Sequence, residues 1–243
     1  MAHFSFDSYL KQHKIKLSPK AHAFCKLGLK RMAKSVDPIH NHLHVVCLLN
    51  NFAGLLKNER SLLKQDLDYN ALLISIIWHD IWKSARFPKG LFKLAWDQIY
   101  EGRGSAKIVA REMKKADFPK QTIKKVAYAI RQHSIVHRKR KTIESKILKD
   151  VDELARWNVG RIKFAGRQLF GRKILSSKLL KAGKFYVNWF MRPAHTKLYF
   201  GWSRREFRQL KKAWLKQAGT LYKKYEKIVG VNSRTSARNF SIP

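Results

Sequence analysis

Ala71-Leu72-Leu73-Ile74-Ser75-Ile76-Ile77-Trp78-His79-Asp80 is the stretch on which the fold turns. From Ala71 to Trp78 it is apolar on every side, and Asp68 or Asn70 stands ahead of it to cap a helix. A helix with no polar face is a buried one, so this segment predicts a central element that others cover. It ends on an imidazole beside a carboxylate. A carboxylate in so apolar a setting costs several kcal/mol (roughly 2–7 for an unpaired polar group) unless a partner or a cation meets it.

Working outward, the pattern stays helical and strand signals are nearly absent. Ser18-Pro19 opens a helix with Ala23, Leu27 and Met32 at helical spacing. Asp37 followed by Pro38 reads as an N-cap with proline at the first helical position. The helix it predicts runs from Ile39 to Leu56, with Val45, Leu48, Leu49 and Phe52 on its apolar side. Arg86-Phe87-Pro88-Lys89-Gly90 and Glu101-Gly102-Arg103-Gly104-Ser105 read as loops, the second capping a helix from Ala106 to Lys115. Further helices are predicted from Pro119 through His133 and from Thr142 to Trp157. The fold class is therefore all-α.

The 243 residues carry 52 Lys and Arg against 16 Asp and Glu, a formal net charge of +36. At 45% hydrophobic and 12% aromatic, the chain can still build a core. Such a charge predicts a polyanionic partner: RNA, DNA, a ribosome, polyphosphate or an anionic membrane face. Beyond Trp157 the only acidic residues are Glu206 and Glu226, while aromatics such as Trp189, Tyr199 and Trp202 interleave with Lys and Arg. Cys25 and Cys47 make no disulfide framework and no metal pair, and are expected to be small buried hydrophobes in a reducing compartment. Met1 to Leu10 has no secretory pattern and no run of about 18 apolar residues occurs, which predicts a cytoplasmic chain.

His40-Asn41-His42-Leu43-His44, His79-Asp80 and Asp150-Val151-Asp152 place imidazoles and carboxylates on three separate predicted helices. That mixture suits a hard-to-borderline divalent cation, and helical proteins commonly build such sites between packed helices.

These residues resemble the HD superfamily of metal-dependent phosphohydrolases. His40-Asn41-His42-Leu43-His44-Val45 is similar to the His-(Asn/Asp)-x-x-His-Val element of several branches. His79-Asp80-Ile81-Trp82-Lys83 is similar to the signature doublet, with Trp82 where a small residue is usual. Glu101 with Ser105-Ala106, Ile130-Arg131-Gln132-His133 and Asp150-Val151-Asp152-Glu153-Leu154 resemble later elements, in the family's order. The resemblance covers about residues 35 to 157, with a segment 1–34 packed on that core, a basic, aromatic-rich helical extension at 158–229 and a flexible tail at 230–243.

The resemblance implies an HD-type helical bundle in which His44, His79, Asp80 and Asp150 hold one divalent ion, with His42 as the alternative first ligand. Mn, Mg, Fe, Ni, Co and Zn are not distinguished. Asp80 would also orient the attacking water, His40 would protonate the leaving oxygen and Lys83 would contact phosphate. His133, His137 and Arg131 could take a second ion or the substrate phosphate. Asp152 and Glu153 are expected to be solvated. The activity implied is hydrolysis of a nucleotide or other phosphate ester, as a phosphomonoesterase or a phosphodiesterase. The alternative is an HD-like binding module whose basic surface docks on RNA, DNA or the ribosome without catalysis.

Overall fold

The structure is a computed structural model that describes residues 4–37, 40–62, 64–85, 91–133, 140–163, 177–191 and 197–228. Pro38, the stretch 86–90 expected as a loop, His137 and residues 230–243 expected as a tail lie outside the described residues. The described residues form helices and no strand: α1 (Phe6–Gln12), α2 (Pro19–Ala33), α3 (His42–Asn58), a 3₁₀ turn (Arg60–Leu62), α4 (Tyr69–Trp78) and α5 (Ile81–Ser84). There follow α6 (Leu91–Lys115), α7 (Lys120–His133), α8 (Ile143–Arg156), α9 (Ser177–Tyr186), a π turn (Val187–Met191) and α10 (Gly201–Ile228). The chain divides into two units, Met1–Ala155 with Leu198–Arg204, and Arg156–Lys197 with Arg205–Pro243.

In the first unit α4 is the central element, in contact with α2, α3 and α7. Every side chain from Ala71 to Trp78 is buried, as the all-round apolar pattern requires. Asp68, rather than Asn70, caps it by accepting from the Ala71 N–H at 2.9 Å. Asn70 instead accepts from the Ser18 N–H at 3.0 Å, tying α4 to the start of α2. Trp78 stacks on Phe24 of α2, 4.5 Å between centroids, and its Nε1–H donates to the Phe24 carbonyl at 3.1 Å. The approach is close enough that a Cβ on Gly28 would sit 2.4 Å from Trp78 Nε1.

Two expected boundaries move. The N-cap of α3 is Asn41, whose Oδ1 accepts from the N–H groups of Leu43 at 2.9 Å and His44 at 3.3 Å, so the helix begins three residues later than Asp37-Pro38 implied. Asp37 spends its carboxylate on His40 instead. The stretch Glu101–Ser105 is helix, not loop: α6 runs through it unbroken. Gly104 is there for clearance, since a Cβ would lie 2.5 Å from Trp82 Cδ2. Ser105 Oγ meets the Trp82 N–H at 3.2 Å.

The second unit has its own small core of Trp157, Val187, Trp214 and Ala218. Trp157 meets Trp214 and Phe207 edge-on at 5.5 and 5.4 Å. Lys184 of α9 bonds Glu226 of α10 at 3.3 Å.

Candidate metal centre

Three helix ends and one helix face meet in the first unit. Asn41 starts α3 so that His44 falls in its first turn, facing inward and 1% exposed, while His42 is exposed at the helix start. His44, not His42, is the inward histidine. The helical run of α4 stops at His79, and Asp80 (φ −106°, ψ 17°) turns the chain into α5. That break lets adjacent side chains converge, with His79 Nε2 3.0 Å from Asp80 Oδ2. His44 Nε2 lies 3.1 Å from the same oxygen and 3.2 Å from His79 Nε2.

The fourth group comes from α8, and it is Asp152. Its Oδ1 is 3.4 Å from His44 Nε2 and 3.7 Å from His79 Nε2. Asp150, expected here as a ligand, points elsewhere: its carboxylate accepts from the backbone N–H groups of Tyr199 and Phe200 at 3.0 and 3.1 Å. Successive helical residues are rotated by about 100°, so residues two apart cannot both face one point. Asp152 is thus drawn in rather than solvated, and Glu153 is buried in a 2.7 Å pair with Lys149.

A second set of donors adjoins the first. Asp80 turns its other oxygen, Oδ1, toward His133 Nε2 at 3.7 Å, and His133 Nε2 is 3.8 Å from Glu101 Oε1. His79, Asp80 and His133 form one group able to hold an ion; His44, His79 and Asp152 form the other. Arg131, two positions from His133 on α7, is exposed to solvent and does not join them. On the open side, His40 Nδ1–H donates to Asp37 Oδ2 at 2.7 Å, and His40 Nε2 sits 3.3 Å from Lys83 Nζ and 3.9 Å from Asp80 Oδ2. Lys83 is itself buried against Glu101, so it is no free surface lysine.

The electrostatics call for positive charge at the centre. Burial would raise the Asp80 carboxyl, but His79, His40 and Lys83 overcome it and hold it well below the usual range. Asp152 is likewise held low against its burial, by hydrogen bonds from His44 and His79. Burial would lower His79, yet Asp80 and Asp152 push its imidazole up to about 10. The Lys83 ammonium also resists its burial, raised by Asp80 and Glu101. Asp150 is the contrast: burial raises it to about 6, against the pull of the Tyr199 and Phe200 N–H groups.

The donor set fits a divalent cation. His79 Nδ1 faces the Ile76 carbonyl at 2.9 Å and His133 Nδ1 the Ile130 carbonyl at 2.5 Å. A carbonyl only accepts, so each Nδ1 carries a proton, and a cation taking the place of any proton on Nε2 would find that nitrogen's lone pair directed inward. That orienting bond accompanies most metal-bound histidines. Separations of 3.0–3.7 Å among the donors suit ligands that each lie about 2.1 Å from a shared ion.

The spacing of His79-Asp80 pointed to this cluster, but three contributors carry no sequence signal that assigns them to it. Asp152 and Asp150 flank the buried Val151 equally, about 100° to either side, so periodicity alone could not choose between them. Glu101 matches a family-like element yet lies in a glycine-containing stretch that reads as a turn, and Asp37 reads as a helix cap.

No curated protein and no solved structure matches the chain. The family model described as HD domain matches residues 39–157, about half of the chain and the part that supplies every group in the cluster but Asp37. With that match spanning His44, His79, Asp80 and Asp152, the chain belongs to the HD-domain superfamily, in general a family of metal-dependent phosphohydrolases.

Proposed function

We propose that the protein is a metal-dependent phosphohydrolase that cleaves a nucleotide or another small phosphate ester. The observation that carries this is the convergence of His44, His79, Asp80 and Asp152 within 3.0–3.7 Å, with a second histidine system alongside. His44, His79, Asp80 and Asp152 would hold the first divalent ion, and Asp80, His133 and Glu101 would take part in holding a second. An ion bound there supplies a water acidified toward neutral pH and withdraws electron density from a phosphoryl oxygen.

The remaining work falls to the chain's own side chains. Asp37 keeps a proton of His40 on Nδ1 and fixes the ring, leaving Nε2 3.3 Å from the Lys83 ammonium. A proton taken up from water on His40 Nε2 can pass on to the departing oxygen, the general-acid step of ester cleavage, while Lys83 keeps its charge. Lys83 also brings positive charge to this side of the cluster, where a phosphate would lie. Glu101 holds Lys83 in place. Trp82, packed over Gly104, takes up room beside the doublet.

The test is a screen of nucleotides and aryl phosphates, mono- and diesters, with added Mn²⁺, Mg²⁺, Fe²⁺, Ni²⁺, Co²⁺ or Zn²⁺. Hydrolysis should depend on the ion and vanish in Asp80→Ala. A folded Asp80→Ala protein that keeps its activity would show the reading to be wrong.

A further inference from the structure

The second unit has a charged face that the metal cluster does not use. Along α10, Arg205, Arg208, Lys212, Lys216, Lys223 and Lys227 are all exposed, and their spacings of three, four or seven put them on one side of the helix. Trp214, Ala218 and Tyr225 are buried on the other side. The row spans about 33 Å at ~1.5 Å per residue. The carboxylates of α10 do little to balance it. Glu226 is buried and bonded to Lys184, and Glu206 is the only other acid in the helix. A file of like charges repels itself, so the arrangement is favourable only when anions lie along it.

Among its described residues the same unit exposes two large aromatic rings. Phe185 at the end of α9 and Trp189 in the π turn are 55% and 68% exposed and stack on each other at 5.7 Å with 29° between planes. Rings of that size left in water beside a cationic helix suit unpaired bases, which have free π faces, better than a duplex whose bases already stack. An anionic membrane fits less well. A basic helix enters lipid through its apolar face, and that face of α10 is occupied by the core of the unit. We infer that the second unit binds single-stranded nucleic acid without sequence preference, the α10 cations following the phosphates and the Phe185–Trp189 pair stacking on a base. This stands independently of the hydrolase reading.

The experiment is fluorescence anisotropy on the full chain with labelled oligodeoxythymidine and oligouridine, a duplex of equal length, and phosphatidylserine vesicles as competitor. Single strands should bind, more tightly than the duplex, with log affinity falling linearly in log salt. Lys212→Gln, Lys216→Gln and Lys223→Gln combined should reduce that slope by about 2, at ~0.7 for each phosphate no longer neutralised. Trp189→Ala should weaken binding roughly tenfold with the slope unchanged. All four positions are exposed, and circular dichroism will show that the variants fold. No single-strand binding at low salt, a slope unmoved by the triple variant, equal binding of duplex with no effect of Trp189→Ala, or displacement by vesicles would each overturn the inference.

Discussion

Asp150 and Asp152 are the same residue type, one position to either side of Val151, and they do opposite jobs. Asp152 shares its charge with His44 and His79, and Asp150 anchors the backbone of Tyr199 and Phe200. Replacing Asp150 by Ala leaves two buried or part-buried N–H donors without that acceptor, which should cost about 2–4 kcal/mol of stability in urea denaturation. Metal affinity should stay unchanged. Lys83 and Glu101 offer a second test at this scale. Lys83→Met should cost about 3–5 kcal/mol because Glu101 is left charged in a buried place. Adding Glu101→Gln should recover much of that loss, a coupling that a double-mutant cycle would read. If the two losses simply add, the pair is not a unit. The sequence made His44, His79 and Asp80 legible because a histidine and a carboxylate inside apolar runs stand out. It could not separate Asp150 from Asp152, since both border the same apolar stripe and only the tertiary neighbours decide.

Among the helices, α4 was readable because nothing in it is polar enough to face water, and it is the element most fully enclosed. The α6 helix was not, because Gly102 and Gly104 look like punctuation until Trp82 is found lying over Gly104. Close approach, not turning, explains that glycine, and the same holds for Gly28 beneath Trp78. Gly28→Ala would force α2 away from a rigid indole, since its Cβ would begin 2.4 Å from Trp78 Nε1. Overpacking of that kind should cost about 1–3 kcal/mol and lower Tm by several degrees. A Tm equal to that of the parent protein would mean that the helices can part without penalty. Cys25 on α2 and Cys47 on α3 are both buried and in no disulfide. Burial also pushes the Cys25 thiol up. Neither should react with an aromatic disulfide reagent until denaturant is added, and fast labelling of the native protein would contradict the packing.

At the scale of the molecule, a net charge of +36 gives the chain a field that draws in anions. Among the described residues no helix is long and apolar enough to cross a membrane. The field should act on the phosphate ester as well. Raising ionic strength through the range where the Debye length falls from about 10 Å toward 3 Å should lower kcat/KM several-fold while leaving kcat nearly constant. Salt-independent kcat/KM would mean that the field plays no part in substrate capture. The all-α architecture followed from the sequence because its helical periodicity is long and its caps are explicit. The split into two units was harder to foresee, because the segment Leu198–Arg204 lies beyond the start of the basic region yet packs with the first unit.

The most direct test is the metal content and Mn²⁺ affinity of four purified proteins: the parent chain, Asp80→Ala, Asp152→Asn and Asp150→Asn. Expected is a bound divalent ion in the parent and in Asp150→Asn, with affinity reduced at least tenfold to a hundredfold in Asp152→Asn and lost in Asp80→Ala. Loss of the ion in Asp150→Asn with full retention in Asp152→Asn would contradict a centre built on His44, His79, Asp80 and Asp152.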